Sequence, residues 1–250
     1  MKKTIHIFAA AALMVSASAA MAAPAASDLK VTGDVHAASA HNFRGIAFSA
    51  GEPSIGASLA AHHASGLYGS LAIDTVKLGD LRTGDLGVER DQLHNALTLG
   101  YHRPAGNLGL HLGGGVTRHF FTGQGAASDL SFSELFLTAD WNGVSGKLST
   151  VVEGAGLRAP GFSRGDVYGE LGYTYRYGKY SVGGDIGYGW YDSKHAGAKD
   201  GLALAQLRAG YNFTPELQVL LTHQLGWGDD AWGRGASGNN KTFVKAAYRF

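Results

Sequence analysis

The amino-acid sequence predicts an all-β fold: a transmembrane, antiparallel, up-and-down β-barrel of about twelve strands, with short turns on one rim and longer loops on the other. Three observations predict it. Apolar and polar side chains alternate with a two-residue period along most of the chain, with almost no sustained helical period. Short and long connections between the alternating segments follow each other in strict turn. Aromatic residues gather at the ends of the segments, on the same face as the aliphatic ones.

The opening stretch, MKKTIHIFAAAALMVSASAAMA, joins Lys2 and Lys3 to an apolar run from about Ile5 and to small residues at Ala20 and Ala22. This pattern predicts a secretory signal peptide over residues 1–22, and its apolar run is too short to cross a bilayer as a helix. Residues 23–250 are then expected to form a single barrel domain. Cleavage would remove Lys2 and Lys3 from 21 basic residues, leaving 19 against 20 acidic ones. That balance carries no nucleic-acid or polybasic signal. The absence of cysteine excludes disulfide staples, thiolate metal sites and a cysteine nucleophile. Glycine, at 38 residues, is about double ordinary usage, yet no repeat organises it, so neither collagen nor a solenoid fits.

Strands are expected near 29–39, 53–63, 67–77, 92–103, 108–120, 130–141, 147–157, 166–177, 180–191, 201–213, 216–227 and 241–250. Each has roughly the ten residues that a tilted strand needs to cross hydrocarbon. The short connections are ASG at 64–66, PAGN at 104–107, NGVSG at 142–146, GK at 178–179 and TP at 214–215, all rich in turn formers. The long, polar ones are 40–52, 78–91, 121–129, 158–165, 192–200 and 228–240. An outer-membrane barrel sorts its loops in this way and a soluble sandwich has no reason to.

The two faces differ in kind. Outward positions carry Leu93, Leu97, Leu99, Leu217, Val219 and Leu221, bounded by Tyr101, Trp141, Tyr173, Trp190 and Tyr211. The closing segment KTFVKAAYRF puts Val244, Ala246, Tyr248 and Phe250 on that face, and its terminal Phe resembles the assembly signal of bacterial outer-membrane barrels. Inward positions carry Lys30, Asp34, Asp74, Glu134, Asp140, Glu153, Glu170, Arg176, Asp185, Arg208, Lys245 and Arg249. Such groups belong in a wet lumen, since one at mid-bilayer costs a few kcal/mol. His36, His62, His94, His102, His111 and His119 also face inward, and His223 is a misfit on the outward side. His94 and His102 lie roughly 26 Å apart along one strand, too far for one metal, and the histidines read as polar lining.

The string SAHNFRGIAFSAGEPSIGASL at 39–59, followed by SGLYGSLAI, resembles the start of the TorF porin family. The match falls on Phe43, Arg44, Gly45, Ile46, Pro53, Ser65, Gly66 and Tyr68, and SFSELFLTADWNGVSGKLS is similar to that family's glutamate-bearing hairpin. His41 stands where the family usually has a tyrosine, and Phe48 where a polar residue is common. The resemblance implies an outer-membrane channel of undefined substrate. Arg44 then has two readings: a fixed charge folded into the mouth opposite lumen carboxylates, or a loop-shaping residue beside a permissive Gly45.

Two strings imitate catalytic motifs. GFSRG at 161–165 lacks the strand-turn-helix of a nucleophile elbow, and GRGASG at 233–238 has no helix after it to receive a phosphate. The expectation is therefore a passive channel for small hydrophilic solutes or ions, without catalytic residues, metal or cofactor. Partners expected are outer-membrane lipids, lipopolysaccharide phosphates at Lys77 and Arg118, and the barrel assembly machinery at Phe250. The assigned lumen charges carry an acidic excess and predict weak cation preference, fading as the histidines protonate. The alternatives are an outer-membrane lipid hydrolase, for which HAAS at 36–39 sets His36 and Ser39 on opposite faces, and a non-conducting structural or adhesive barrel.

Overall fold

The computed structural model describes residues 28–49, 51–80, 85–123, 131–154, 162–192, 200–225 and 241–250, with the backbone alone for 78–80 and 85–91. The signal-peptide expectation and most of the long loops lie outside the described residues. The strands are β1 (Leu29–Ala38), a short pair β2 (Asn42–Phe43) and β3 (Ile46–Ala47), then β4 (Ser54–His63), β5 (Leu67–Asp80), β6 (Asp85–Ala105), β7 (Leu110–Gly123), β8 (Phe132–Trp141), β9 (Val144–Glu153), β10 (Val167–Tyr177), β11 (Tyr180–Trp190), β12 (Gly201–Asn212), β13 (Leu217–Leu225) and β14 (Lys241–Arg249). All but β2 and β3 form one closed barrel in the order β1-β14-β13-β12-β11-β10-β9-β8-β7-β6-β5-β4, every neighbour antiparallel. The all-β, twelve-stranded expectation holds.

Closure depends on the chain's end. Phe250 exchanges backbone hydrogen bonds with Gly33 at 2.9 and 3.0 Å, beyond the β1–β14 ladder. The Phe250 ring covers Gly33, where a Cβ would meet its Cζ at 2.7 Å. The glycine thus admits the ring that finishes the seam. The short rim is made of tight turns; Asn142 (φ 47°) and Gly143 (φ 85°) form a two-residue hairpin loop of the kind that needs φ > 0 at both positions.

The barrel is inside-out relative to a soluble protein. Leu99 (63 % exposed), Leu137 (65 %) and Leu171 (53 %) face away from the lumen, and Tyr173, Tyr175, Tyr177 and Trp141 ring the short-turn end. Apolar exposure on this scale suits hydrocarbon rather than water. Trp141 Nε1 donates to the Leu108 carbonyl at 2.9 Å, leaving its ring at the edge of the apolar band. Inward, Phe121, Phe132, Phe136 and Tyr168 are buried, as their parity predicts. Several glycines make room for them: a Cβ at Gly100 would strike the Tyr68 ring, and one at Gly187 the Tyr168 hydroxyl. Gly109, which falls within the strand expected over 108–120, instead lies in the turn before β7 at φ 71°.

Of the three register shifts in the described strands, the one between β5 and β6 lies at Leu78/Asp80, and the other two bear on the lumen assignment. At Ser133/Glu134 the register jumps, so that Glu134 faces Val151 while Ser133 faces Glu153. Val152 is the extra residue, and Glu153 turns outward. There it accepts from Arg118 Nη1 at 2.5 Å and from Ser133 Oγ at 2.9 Å. The inward assignment of Glu153 is thereby corrected; an unbroken two-residue period cannot register the inserted residue. A second bulge at Gly187/Tyr188 sets Leu204 opposite Gly187 and Leu202 opposite Tyr188, with Ala203 between them.

Candidate functional site

The lumen is crossed by a hairpin of the first loop. Phe43 and Ile46 pair across a two-residue turn formed by Arg44 (φ 51°) and Gly45 (φ 87°). Both central residues therefore take the left-handed conformation of a type I′ turn, which glycine adopts without penalty and arginine adopts against its preference. Gly45 has a second constraint, because a Cβ would run into the Ala203 carbonyl oxygen. Its own carbonyl accepts from Gln224 Nε2 at 3.1 Å, and Asn42 Nδ2 donates to Gln224 Oε1 at 2.9 Å. One side of the hairpin is thus held to β12 and β13.

Arg44 reaches the opposite wall. Its guanidinium pairs with Glu134 on β8 and donates to Ser149 Oγ on β9 at 2.9 Å. It lies 4.6 Å from the centroid of Tyr168 and 4.8 Å from that of Phe43, within cation–π range. Arg44 and Glu134 are both buried, and Lys147 Nζ supplies a second cation to Glu134 at 3.1 Å. Arg44 thus sits in a positive-φ turn and pairs with a lumen carboxylate that is far away in sequence.

Apolar packing fills the space around the hairpin. Ile46 and Phe48 join Val76, Phe121, Phe132, Val151 and Phe162 in one cluster, with Phe43 packed against it. Phe43 and Phe48 stack at 5.0 Å. The loop backbone is tied to the wall by Lys77 N donating to the Phe48 carbonyl at 2.8 Å. An apolar cluster inside the barrel lumen is the consequence.

The remaining lumen charges spread along the wall. Asp185 accepts from Arg208 Nη2 at 2.7 Å and from Gln206 Nε2 at 2.9 Å. Glu170 accepts from the Tyr168 hydroxyl at 3.1 Å, and Arg249 Nη2 donates to Gln218 Oε1 at 2.7 Å. Asp140 lies 3.7 Å from His102. Lys30, Arg176 and Lys245 occupy inward positions on β1, β10 and β14, opposite His62, Ser181 and Leu220. Lys147, inward by register and absent from the sequence assignment, had its parity in plain view. Moving Glu153 out and adding Lys147 and Arg44 removes the acidic excess on which a cation preference was expected.

The histidines are grouped rather than scattered. His36 bridges Asp34 and Asp74, one ring nitrogen to each at 2.8 Å, in space left by Gly56, where a Cβ would meet His36 Nε2 at 2.5 Å. His94 Nε2 and His119 Nδ1 are 3.0 Å apart. His41, on the first loop, packs between Phe48 and His94, and burial pushes its pKa below the usual value, favouring the neutral imidazole. His223 is indeed outward, with Nδ1 2.9 Å from Thr242 Oγ1, so a hydroxyl partner offsets the misfit.

The imitation motifs and rim cations behave as wall and loop. Ser163 of GFSRG is buried in the turn before β10, its backbone N–H donating to Asp166 Oδ2 at 3.2 Å, and GRGASG lies outside the described residues. His36 points to the lumen while Ser39 Oγ accepts from the Val244 N–H at 3.0 Å, so HAAS forms no dyad. Lys77 pairs with Glu52 at 2.5 Å, as Arg118 does with Glu153.

No protein-family model matches the chain, and no curated protein sequence does. Among solved structures, an outer-membrane channel from Pseudomonas putida F1 superposes with a TM-score of 0.52 at 12 % identity, over 88 % of this chain and 95 % of that one. The KdgM porin in complex with disordered oligogalacturonate gives 0.48 at 9 % identity, over 88 % and 98 %. Outer-membrane phospholipase A from Escherichia coli gives 0.48 at 13 %, over 87 % and 91 %. At such identities the likeness is one of fold, and the resemblance to TorF porins is not carried by any of these matches. The chain has the fold of an outer-membrane β-barrel.

Proposed function

We propose that the protein is an outer-membrane channel for passive diffusion of small hydrophilic solutes or ions, with the first-loop hairpin as its constriction. The observation that carries this reading is the Arg44–Glu134 pair, a charged contact held across a lumen whose wall is otherwise lined with ionisable groups. Twelve strands enclose a bore between the side-chain-filled eight-stranded barrels and the open sixteen-stranded porins. The hairpin takes up part of that width, so the passage is small and its walls are charged. This reading agrees with the TorF porin resemblance at Phe43, Arg44, Gly45 and Ile46.

Export by a signal peptide cleaved after Ala22, and assembly through the C-terminal strand ending in Phe250, belong to the same proposal. So does contact of Lys77 and Arg118 with lipopolysaccharide phosphates, now in competition with Glu52 and Glu153. With the acidic excess gone, the channel should discriminate weakly between ions. A reversal potential near zero in a potassium chloride gradient is expected; strong cation selectivity would contradict the lumen inventory. Lipase assay of the refolded protein tests the hydrolase alternative, which release of fatty acid would restore.

A further inference from the structure

His41 on the first loop, Asp74 on β5 and His94 on β6 converge on one point of the lumen wall, each offering a donor atom, and these atoms all lie within 4.8 Å of one another. Within the set His41 Nδ1 stands 3.7 Å from Asp74 Oδ1, and each imidazole carries one buried nitrogen that is unsatisfied. The buried His41 Nε2 and His94 Nδ1 have no hydrogen-bond partner among the described residues, although a buried polar atom without one costs about 1–3 kcal/mol. His94 is 5 % exposed.

The neighbours settle which nitrogen of His94 is bare. Glu134, held between Arg44 and Lys147, is an ionised carboxylate and can only accept. It lies 3.5 Å from His119 Nε2, an ion-pair distance without hydrogen-bond geometry, and its negative charge favours the His119 proton on that nitrogen. His119 Nδ1 is then the acceptor of the 3.0 Å contact, and His94 Nε2 the donor. A neutral His94 with its proton on Nε2 leaves Nδ1 as a lone pair, facing Asp74 and His41. A ring nitrogen whose partner nitrogen is already hydrogen-bonded is the usual form of a metal-ligating histidine. Asp74 is oriented in the same manner, since its Oδ1 takes His36 Nε2 at 2.8 Å.

We propose that His41, Asp74 and His94 bind a borderline divalent transition-metal ion such as Zn2+, and that this ion ties the first loop to the β5–β6 wall. Two imidazoles and one carboxylate suit Zn2+, Ni2+ or Cu2+, whereas Ca2+ and Mg2+ favour sites made wholly of oxygen. In a filled tetrahedral site neighbouring donors stand about 3.4 Å apart. The donors here are somewhat wider, and His41, carried by a loop, is the ligand free to close the gap. Because His41 immediately precedes β2, its capture would hold the hairpin in place. The loop's other anchors, Arg44 to Glu134 and Asn42 to Gln224, are direct contacts and require no ion.

The test uses tag-free mature protein refolded in detergent, stripped with chelator, and titrated calorimetrically with Zn2+, with Co2+ as the optical probe. Saturable binding of one ion per chain is expected, weakened about tenfold or more by His41→Gln and by His94→Gln, and unchanged by His62→Gln or His102→Gln. Heat-modifiable gel migration verifies that each variant is folded. Hydrogen exchange at residues 40–49 should slow with Zn2+ in the wild type and not in His41→Gln. Absence of saturable binding, or binding that survives both substitutions, overturns the site; one-to-one binding without slower exchange overturns the clamp. Both readouts are independent of conductance, so their failure is distinct from that of the channel reading.

Discussion

Removing the Arg44 guanidinium takes a cation from Glu134, a donor from Ser149 and a cation–π partner from Tyr168 at once. Lys147 remains beside Glu134, so the loss should stay at the low end for a broken buried pair, about 3 kcal/mol. Arg44→Ala is therefore expected to fold but to hold the hairpin loosely, raising single-channel conductance relative to the wild type. Gly45→Val acts through the backbone: a branched side chain at φ 87° costs roughly 1–3 kcal/mol, and its Cβ meets the Ala203 carbonyl. It should give the same rise in conductance with every lumen charge intact. Unaltered conductance in both variants would mean that the hairpin does not limit the bore. At this scale the sequence was only partly readable. FRGI names the turn, but the contact between Arg44 and Glu134 spans 90 residues and needs the closed barrel to exist.

The strands were legible because a membrane-spanning strand must keep an apolar face throughout its length, and that requirement writes the two-residue period into the chain. β8 shows it: Leu135, Leu137 and Trp141 outward, Phe132, Glu134 and Phe136 inward. The misreading of Glu153 has the same origin. A bulge adds one residue without changing composition, and alternation counted from Lys147 runs through it unaware. Deleting Val152 would restore the regular period and leave Glu153 directly after Val151, still outward and opposite Ser133. Retention of the Arg118–Glu153 pair and a thermal stability close to that of the wild type, read from heat-modifiable gel migration in detergent, are expected; a marked drop would show that the bulge carries structural load. The turn expected at 142–146 was legible in place but not in length: Asn142 and Gly143 alone accept the two positive φ values, and β9 already begins at Val144.

Closure of the whole barrel ends on one aromatic ring over one glycine. Phe250→Ala should remove the cover of Gly33, and Gly33→Leu should exclude the ring; each is expected to lower the yield of folded protein in the outer membrane, scored by the same gel shift. Normal yields in both would show that the seam closes without that contact. Overall shape was readable from alternation and loop sorting, but the state of the bore was not. Inward aromatics such as Phe121 and Phe132 are compatible with an open pore until a loop arrives to pack on them, and the packing of Phe43 and Phe48 depends on where residues 39–53 turn after leaving β1.

The most direct test is single-channel conductance in planar bilayers, comparing the wild type with a variant in which residues 42–47 are replaced by two glycines. A small conductance that rises several-fold in the variant is the predicted result. Equal conductance in the two proteins, or none in either, would contradict a bore constricted by the first-loop hairpin.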